Sequence, residues 1–88
     1  MDLSVVIVNY QTFELTKNTV NSILDYDYPF SVEIFVVDNA SSDDSLSKLK
    51  DYFGDKVKFI ASKENNGFAA GNNQALRQAS GKYQLLLN

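Results

Sequence analysis

Apolar residues in this chain fall in short unbroken runs, and three of those runs stop at polar side chains. Val5-Val6-Ile7-Val8 leads into Asn9-Tyr10-Gln11, Phe35-Val36-Val37 into Asp38-Asn39, and Leu85-Leu86-Leu87 into Asn88. A continuous run, unlike an alternation, predicts a strand buried on both faces. Leu3–Val8, Val32–Val37 and Tyr83–Leu87 therefore read as strands. Lys56–Ala61 reads as a further strand, and its lysines place it near a sheet edge.

The intervening segments carry helical spacing. Thr16, Val20, Ile23 and Leu24 share one face of a helix running from about Thr12 to Asp25 and ended by Asp27-Tyr28-Pro29. Ser42 or Asp43 caps a second helix, Asp44 suits its positive end, and Leu46, Leu49 and Phe53 form its stripe before Gly54 stops it. Phe68, Asn72, Ala75, Leu76 and Ala79 mark a third helix, ended by Gly81. The pattern is βαβαβαβ. It predicts an α/β fold: a Rossmann-like half with a parallel sheet, strand order 3-2-1-4 and three crossover helices. Ligands of such sheets bind beyond the carboxyl ends of the strands, at the switch point, here between the first and fourth strands. The last strand has nothing after it to cover or pair it. The expectation is an N-terminal part, residues 1–88, of a longer protein, whose exposed fourth strand promotes self-association.

Composition narrows the chemistry. The 88 residues are 44% hydrophobic with one proline, which suits a packed core rather than disorder. A net charge of −3 gives no basic footprint for nucleic acid, so no nucleic-acid partner is expected. With neither cysteine nor histidine, the chain cannot hold a disulfide, a Cys or His zinc site, or a nucleophile–histidine pair of its own. No run approaches the roughly 18 apolar residues of a membrane span, and the segment from Asp2 to Val8 does not read as a secretory leader. The expected location is cytoplasmic, or at the inner face of the membrane in a full-length protein. Asn39-Ala40-Ser41 fits a glycosylation sequon and reads as a chance match.

Asp38 is delivered by its strand to the carboxyl edge, where a carboxylate can accept a bond from a base or a ribose hydroxyl; it can equally begin a loop or cap the second helix. Asn65-Asn66-Gly67-Phe68-Ala69-Ala70-Gly71-Asn72-Asn73 follows a strand and opens a helix. Gly67 and Gly71 remove Cβ atoms where backbone could approach a ligand closely, and the free N–H groups of a helix start attract anions. Tight helix–sheet packing explains Gly71 as well. The segment lacks both GxGxxG and the phosphate-loop GxxxxGK[ST]. Asn72, on an apolar face, needs a partner from a loop or from a ligand. Tyr10 can stack on a base or pack as an ordinary aromatic. Lys48, Lys50, Lys56, Lys58 and Lys63 read as a solvated face.

Four segments together resemble the N-terminal half of nucleotide-sugar-dependent inverting glycosyltransferases of the GT-A fold, the large family that includes bacterial rhamnosyl- and galactosyltransferases of polysaccharide synthesis. They are Ser4–Tyr10, Val36–Asp43, Asn65–Ala75, and Gly81-Lys82-Tyr83 leading to Leu85–Asn88, in family order and spanning essentially the whole chain. The resemblance implies that Val8 and Tyr10 border the base, that Asp38 bonds the base or its ribose, and that Gly67 and Asn72 lie beside the nucleotide. It implies that Asn88 begins the metal-binding Asp-x-Asp element, with asparagine in first place. It further implies a nucleotide-diphosphate sugar as donor, a glycan or lipid-linked acceptor, and a divalent metal, Mg or Mn, in the complete enzyme. The family's later metal carboxylate and catalytic base lie downstream, so no catalytic residue falls within these residues and the fragment is expected to be inactive.

Other classes fit less well. A sugar-nucleotide-forming enzyme wants a Gly-rich basic loop where Asn9-Tyr10-Gln11-Thr12 stands, and a phosphate-accepting receiver wants clustered acids there. A non-catalytic binding or assembly module keeping only the fold remains open.

Overall fold

The computed structural model describes residues 1–63 and 67–87, with Phe68 described by its backbone alone. Asn65, Asn66 and Asn88, singled out above, lie outside the described residues. The elements run β1 (Leu3–Asn9), α1 (Phe13–Leu24), β2 (Val32–Asn39), α2 (Ser45–Phe53), a 3-10 turn (Gly54–Lys56), β3 (Lys58–Ser62), α3 (Phe68–Leu76) and β4 (Tyr83–Leu87). The sheet is parallel throughout, in the predicted order β3-β2-β1-β4.

Alternate residues of the two central strands supply two cores. Val5, Ile7, Ile34 and Val36 meet Val20 of α1 and Leu49 and Phe53 of α2 on one face. Val6, Phe35 and Val37 meet Ala75 of α3 on the other. Both faces are covered along β1 and β2, which is why their sequences run apolar without alternation. The edge strands differ. Among the described residues β4 pairs with β1 alone, and Leu85 and Leu86 remain 45% and 43% exposed despite their apolar character. Among the described residues, no helix is long and apolar enough to cross a membrane.

Several boundaries move from expectation for physical reasons. β2 extends two residues further, because Asp38 and Asn39 stay in ladder register with Ala61 and Ser62. β3 begins at Lys58 because Gly54 (φ 58°) turns the chain into the short 3-10 segment first. Leu24 does not share the inward face of α1: it is 38% exposed at the last turn, while Thr16 and Val20 are buried. On α2 the buried stripe is Ser45, Leu49 and Phe53, so serine takes the position nearest the sheet's carboxyl edge.

α3 ends at Leu76, well short of Gly81; turn bonds run on to Ala79, and Ser80 then leaves the helical path, its N–H bonded to Glu33. Glu33, whose side chain is 3% exposed, accepts bonds from the Ser80 N–H (2.8 Å) and hydroxyl (3.1 Å), from the Ser4 hydroxyl, and from Lys58 Nζ (2.8 Å). Lys58 is thus no mere member of a solvated face. The Gly81 N–H in turn donates to Ser4 Oγ (2.9 Å). The chain passes so close to β1 there that a Cβ on Gly81 would sit 2.5 Å from the Ser4 backbone nitrogen. One carboxylate therefore ties β1, β2, β3 and the entry to β4 at the amino end of the sheet.

Burial alone would push the Glu33 carboxyl up; the Lys58 ammonium and the Ser4 and Ser80 donors outweigh it and hold the group at about 2, against an ordinary 4.5. A depressed acid stabilises the fold above its unfolded pKa, and that contribution is lost as pH falls from about 5 toward 2. Glu33→Gln is expected to cost on the order of 3 kcal/mol at pH 7. Urea unfolding at pH 7 and again at pH 3 checks this, since the gap between wild type and variant narrows at the lower pH.

Candidate functional site

At the carboxyl edge, β1 and β2 end side by side, with Asn9 in register with Asp38. Asn9 continues the inward alternation of Val5 and Ile7, so its amide is buried between the sheet, α1 and α2. A buried amide must be bonded at both ends. Asn9 Nδ2 donates to Asp38 Oδ1 (2.8 Å) and Ser45 Oγ (3.1 Å), and its Oδ1 accepts from the hydroxyls of Thr16 (2.8 Å) and Thr12 (3.1 Å). Four side chains, from β2, α1, the α1 N-cap and α2, thus converge on this one amide of β1.

Asp38 is 3% exposed. Its Oδ1 accepts from Asn9 and from the Ser41 hydroxyl (2.6 Å), and its Oδ2 accepts from the Ser41 N–H (3.1 Å). The carboxylate therefore builds its own loop, and Oδ2 is the oxygen with acceptor capacity to spare. It does not cap α2. Asp44 occupies the N-cap position, and Asp43 Oδ1 accepts the Ser45 N–H (3.1 Å). Hydrogen bonding from Ser45 holds the Asp43 carboxyl below its usual range. Tyr10, next to Asn9, is 45% exposed at the rim of this cluster.

The remaining candidates gather on the other face of the sheet. Val8 packs with the α3 core, and a Cβ on Gly71 would lie 3.3 Å from its Cγ2 and 3.5 Å from Asn39 Oδ1. Gly71 thus serves close helix–sheet packing. Gly67 holds a φ of 91° as the N-cap of α3, a conformation that favours glycine, and its carbonyl accepts from Asn39 Nδ2 (3.1 Å). Asn72 is 3% exposed, and its Oδ1 has no hydrogen-bond partner among the described residues. A buried acceptor left unmatched is costly.

The structure thus groups Tyr10 with Asp38, and Val8 with Gly67 and Asn72, on two sides of one rim. Asn9, Ser41, Ser45, Thr16 and Asn39 complete that rim. Asn39 heads the sequon, and its buried, bonded side chain fits the chance reading of that motif. Periodicity carried part of the signal: Asn9 follows the inward positions of β1, and Ser45 stands four and eight residues before Leu49 and Phe53. Two apolar cavities lie at the opposite, amino end of the sheet. One, of about 220 Å³, is walled by Tyr26, Tyr28 and Phe30; the other, of about 420 Å³, by Leu3, Phe30 and Tyr83. Neither contains the convergent polar groups of the rim. Among the described residues, no group of three or more acidic, histidine or cysteine side chains is arranged to hold a metal ion.

Comparison with known proteins bears on this rim. A model of glycosyl transferase family 2 matches residues 4–88. YfnE of Bacillus subtilis, an uncharacterised glycosyltransferase, is 39% identical over 82 residues, covering 92% of this chain and 21% of YfnE. The crystal structure of S. aureus TarS 1–349 in complex with UDP superposes with a TM-score of 0.86 at 28% identity, covering 99% of this chain and 27% of that one. The mannosyltransferase PcManGT of Pyrobaculum calidifontis, in complex with GDP-Man and Mn²⁺, superposes with a TM-score of 0.79 at 28% identity, covering 91% and 25%. The chain spans about a fifth to a third of the length of the curated relatives it matches.

The hub makes a direct prediction. Asn9→Ala leaves the Thr16 and Ser45 hydroxyls and the Asp38 carboxylate short of a partner in a buried site. The expected loss is roughly 2–4 kcal/mol. Chemical denaturation checks it, and a variant as stable as wild type would remove Asn9 from its central role.

Proposed function

Because the chain belongs to glycosyl transferase family 2, we propose that its carboxyl-edge rim is the donor-nucleotide site of a glycosyltransferase. The parent enzyme would transfer a sugar from a nucleotide-diphosphate sugar to a glycan or lipid-linked acceptor with inversion. The observation that carries this reading is the convergence of the family-like segments on one rim. Asp38 and Tyr10 stand on one side, and Gly67 and Asn72 on the other. The UDP complex of TarS, which this chain resembles over 99% of its length, supports a nucleoside diphosphate as the ligand class.

The residues divide the work. The Tyr10 ring is available to stack on a planar base. Asp38 Oδ2 accepts from a base N–H or a ribose hydroxyl. The opening turn of α3 after Gly67 offers backbone N–H groups to the diphosphate, and Asn72 Oδ1 takes a further donor. In the family mechanism the acceptor hydroxyl displaces the nucleoside diphosphate directly at the anomeric carbon, and a carboxylate removes its proton. To the described residues we assign binding and orientation of the donor. A divalent ion, as in the PcManGT complex, would be held by Asn88 and residues beyond it. The uncharged, exposed edge of β4 also supports pairing of two isolated copies into one continuous sheet. Sedimentation showing a monomer at high concentration would remove that pairing.

Calorimetric titration of the chain with UDP, GDP and dTDP tests the nucleotide reading. At least one is expected to bind. Asp38→Asn replaces an acceptor oxygen by a donor, weakening binding by roughly 1.5–3 kcal/mol and loosening the Ser41 turn as well. Undiminished affinity in the variant would place Asp38 outside the site.

A further inference from the structure

We infer that Gln11 and Ser42, backed by Ser41, are positioning residues, which latch the loop after β1 to the loop after β2 and so hold Tyr10 in place relative to Asp38. The inference rests on the nucleotide-binding reading above. It begins from the backbone. Both loops leave the sheet at registered positions, and both turn through a non-glycine residue in the left-handed region, Gln11 at φ 54° and Ala40 at φ 57°. That conformation is costly for residues with a side chain, and neither glutamine nor alanine favours it. Something must hold each turn in place.

The bonds across the gap do so. The Gln11 N–H donates to Ser41 Oγ (2.9 Å), and Gln11 Oε1 accepts from the Ser42 hydroxyl (2.6 Å). Ser41 passes the connection on, its hydroxyl and N–H both donating to Asp38. Asp38 then accepts from Asn9. The path Gln11–Ser41–Asp38–Asn9 closes back onto β1 and brackets Tyr10, both of whose chain neighbours are tied to the second loop. Tyr10 itself stays 45% exposed. A residue fixed on both sides and left exposed is a presented surface, on which a planar base can stack.

The bland alternative is a latch that only stabilises the fold, and the two differ in what Gln11→Gly does. Glycine relieves the left-handed strain while removing the side-chain half of the latch. The melting temperature should therefore hold or rise, whereas nucleotide affinity falls about fivefold, the equivalent of one neutral hydrogen bond. Ser42→Ala should lower affinity to a similar extent, and the double variant no further, because both break the same bond. The loss should be equal for the nucleoside monophosphate and diphosphate, since the latch acts at the base. The measurement is calorimetric titration of the whole chain with UDP, GDP, dTDP and their monophosphates. If wild type binds one of them and Gln11→Gly binds it equally well, the latch is wrong and the nucleotide reading stands. If wild type binds none, the nucleotide reading fails and the latch falls with it.

Discussion

The hydrogen bond from the Asn9 amide to the Asp38 carboxylate joins the ends of the two central strands, and the rest of the rim is arranged around it. It is buried, so both partners must have every remaining polar atom accounted for. Asn9 turns to the helix starts through Thr12, Thr16 and Ser45, and Asp38 turns to its own loop through Ser41. A change at this pair therefore reaches α1, α2 and both loops at once. The same strands end differently at the amino edge, where the Glu33 carboxylate does the tying. The sheet is thus pinned by one buried acid at each end. The acid at the amino end is consumed by four donors, whereas the acid at the carboxyl end retains acceptor capacity on Oδ2.

The sheet's two faces divide the site. Residues that alternate along β2 put Asp38 toward α1 and α2, and Asn39 toward α3. A ligand seated on the rim would meet a carboxylate and an aromatic ring from one side. From the other it would meet the start of α3, with the Asn72 oxygen, which has no partner among the described residues, below. That division follows from strand geometry alone, since successive side chains point to opposite faces. Gly71 brings α3 within packing distance of Val8 and so sets how closely the two sides approach.

Much of this was legible in the chain. Unbroken apolar runs gave β1 and β2 because both of their faces are covered, and alternation with helices gave the parallel order. Asp38 stood out because a carboxylate directly after Val36-Val37 has few reasons to be there. Asn9, its equal partner, was less visible, since an amide at a strand end resembles any loop residue until the register pairs it with Asp38. Ser41 and Gln11 were hidden for a different reason. Their roles depend on left-handed turns in residues whose types do not announce them. Gly81 was read as a helix stop, yet its constraint is the 2.5 Å approach to the backbone of β1, a contact between residues 77 positions apart. Long-range contacts of this kind leave no periodic trace.

The central claim is that the rim at the carboxyl ends of β1 and β2, rather than the aromatic cavity at the amino end, receives a nucleoside diphosphate. Amide-resolved NMR of the chain during titration with UDP, GDP or dTDP tests it most directly. The account predicts saturable shifts clustered at residues 8–12, 38–42 and 67–72, with those around Tyr26, Tyr28 and Phe30 unmoved. Shifts concentrated at the aromatic cavity, or none with any of the three nucleotides, would contradict it.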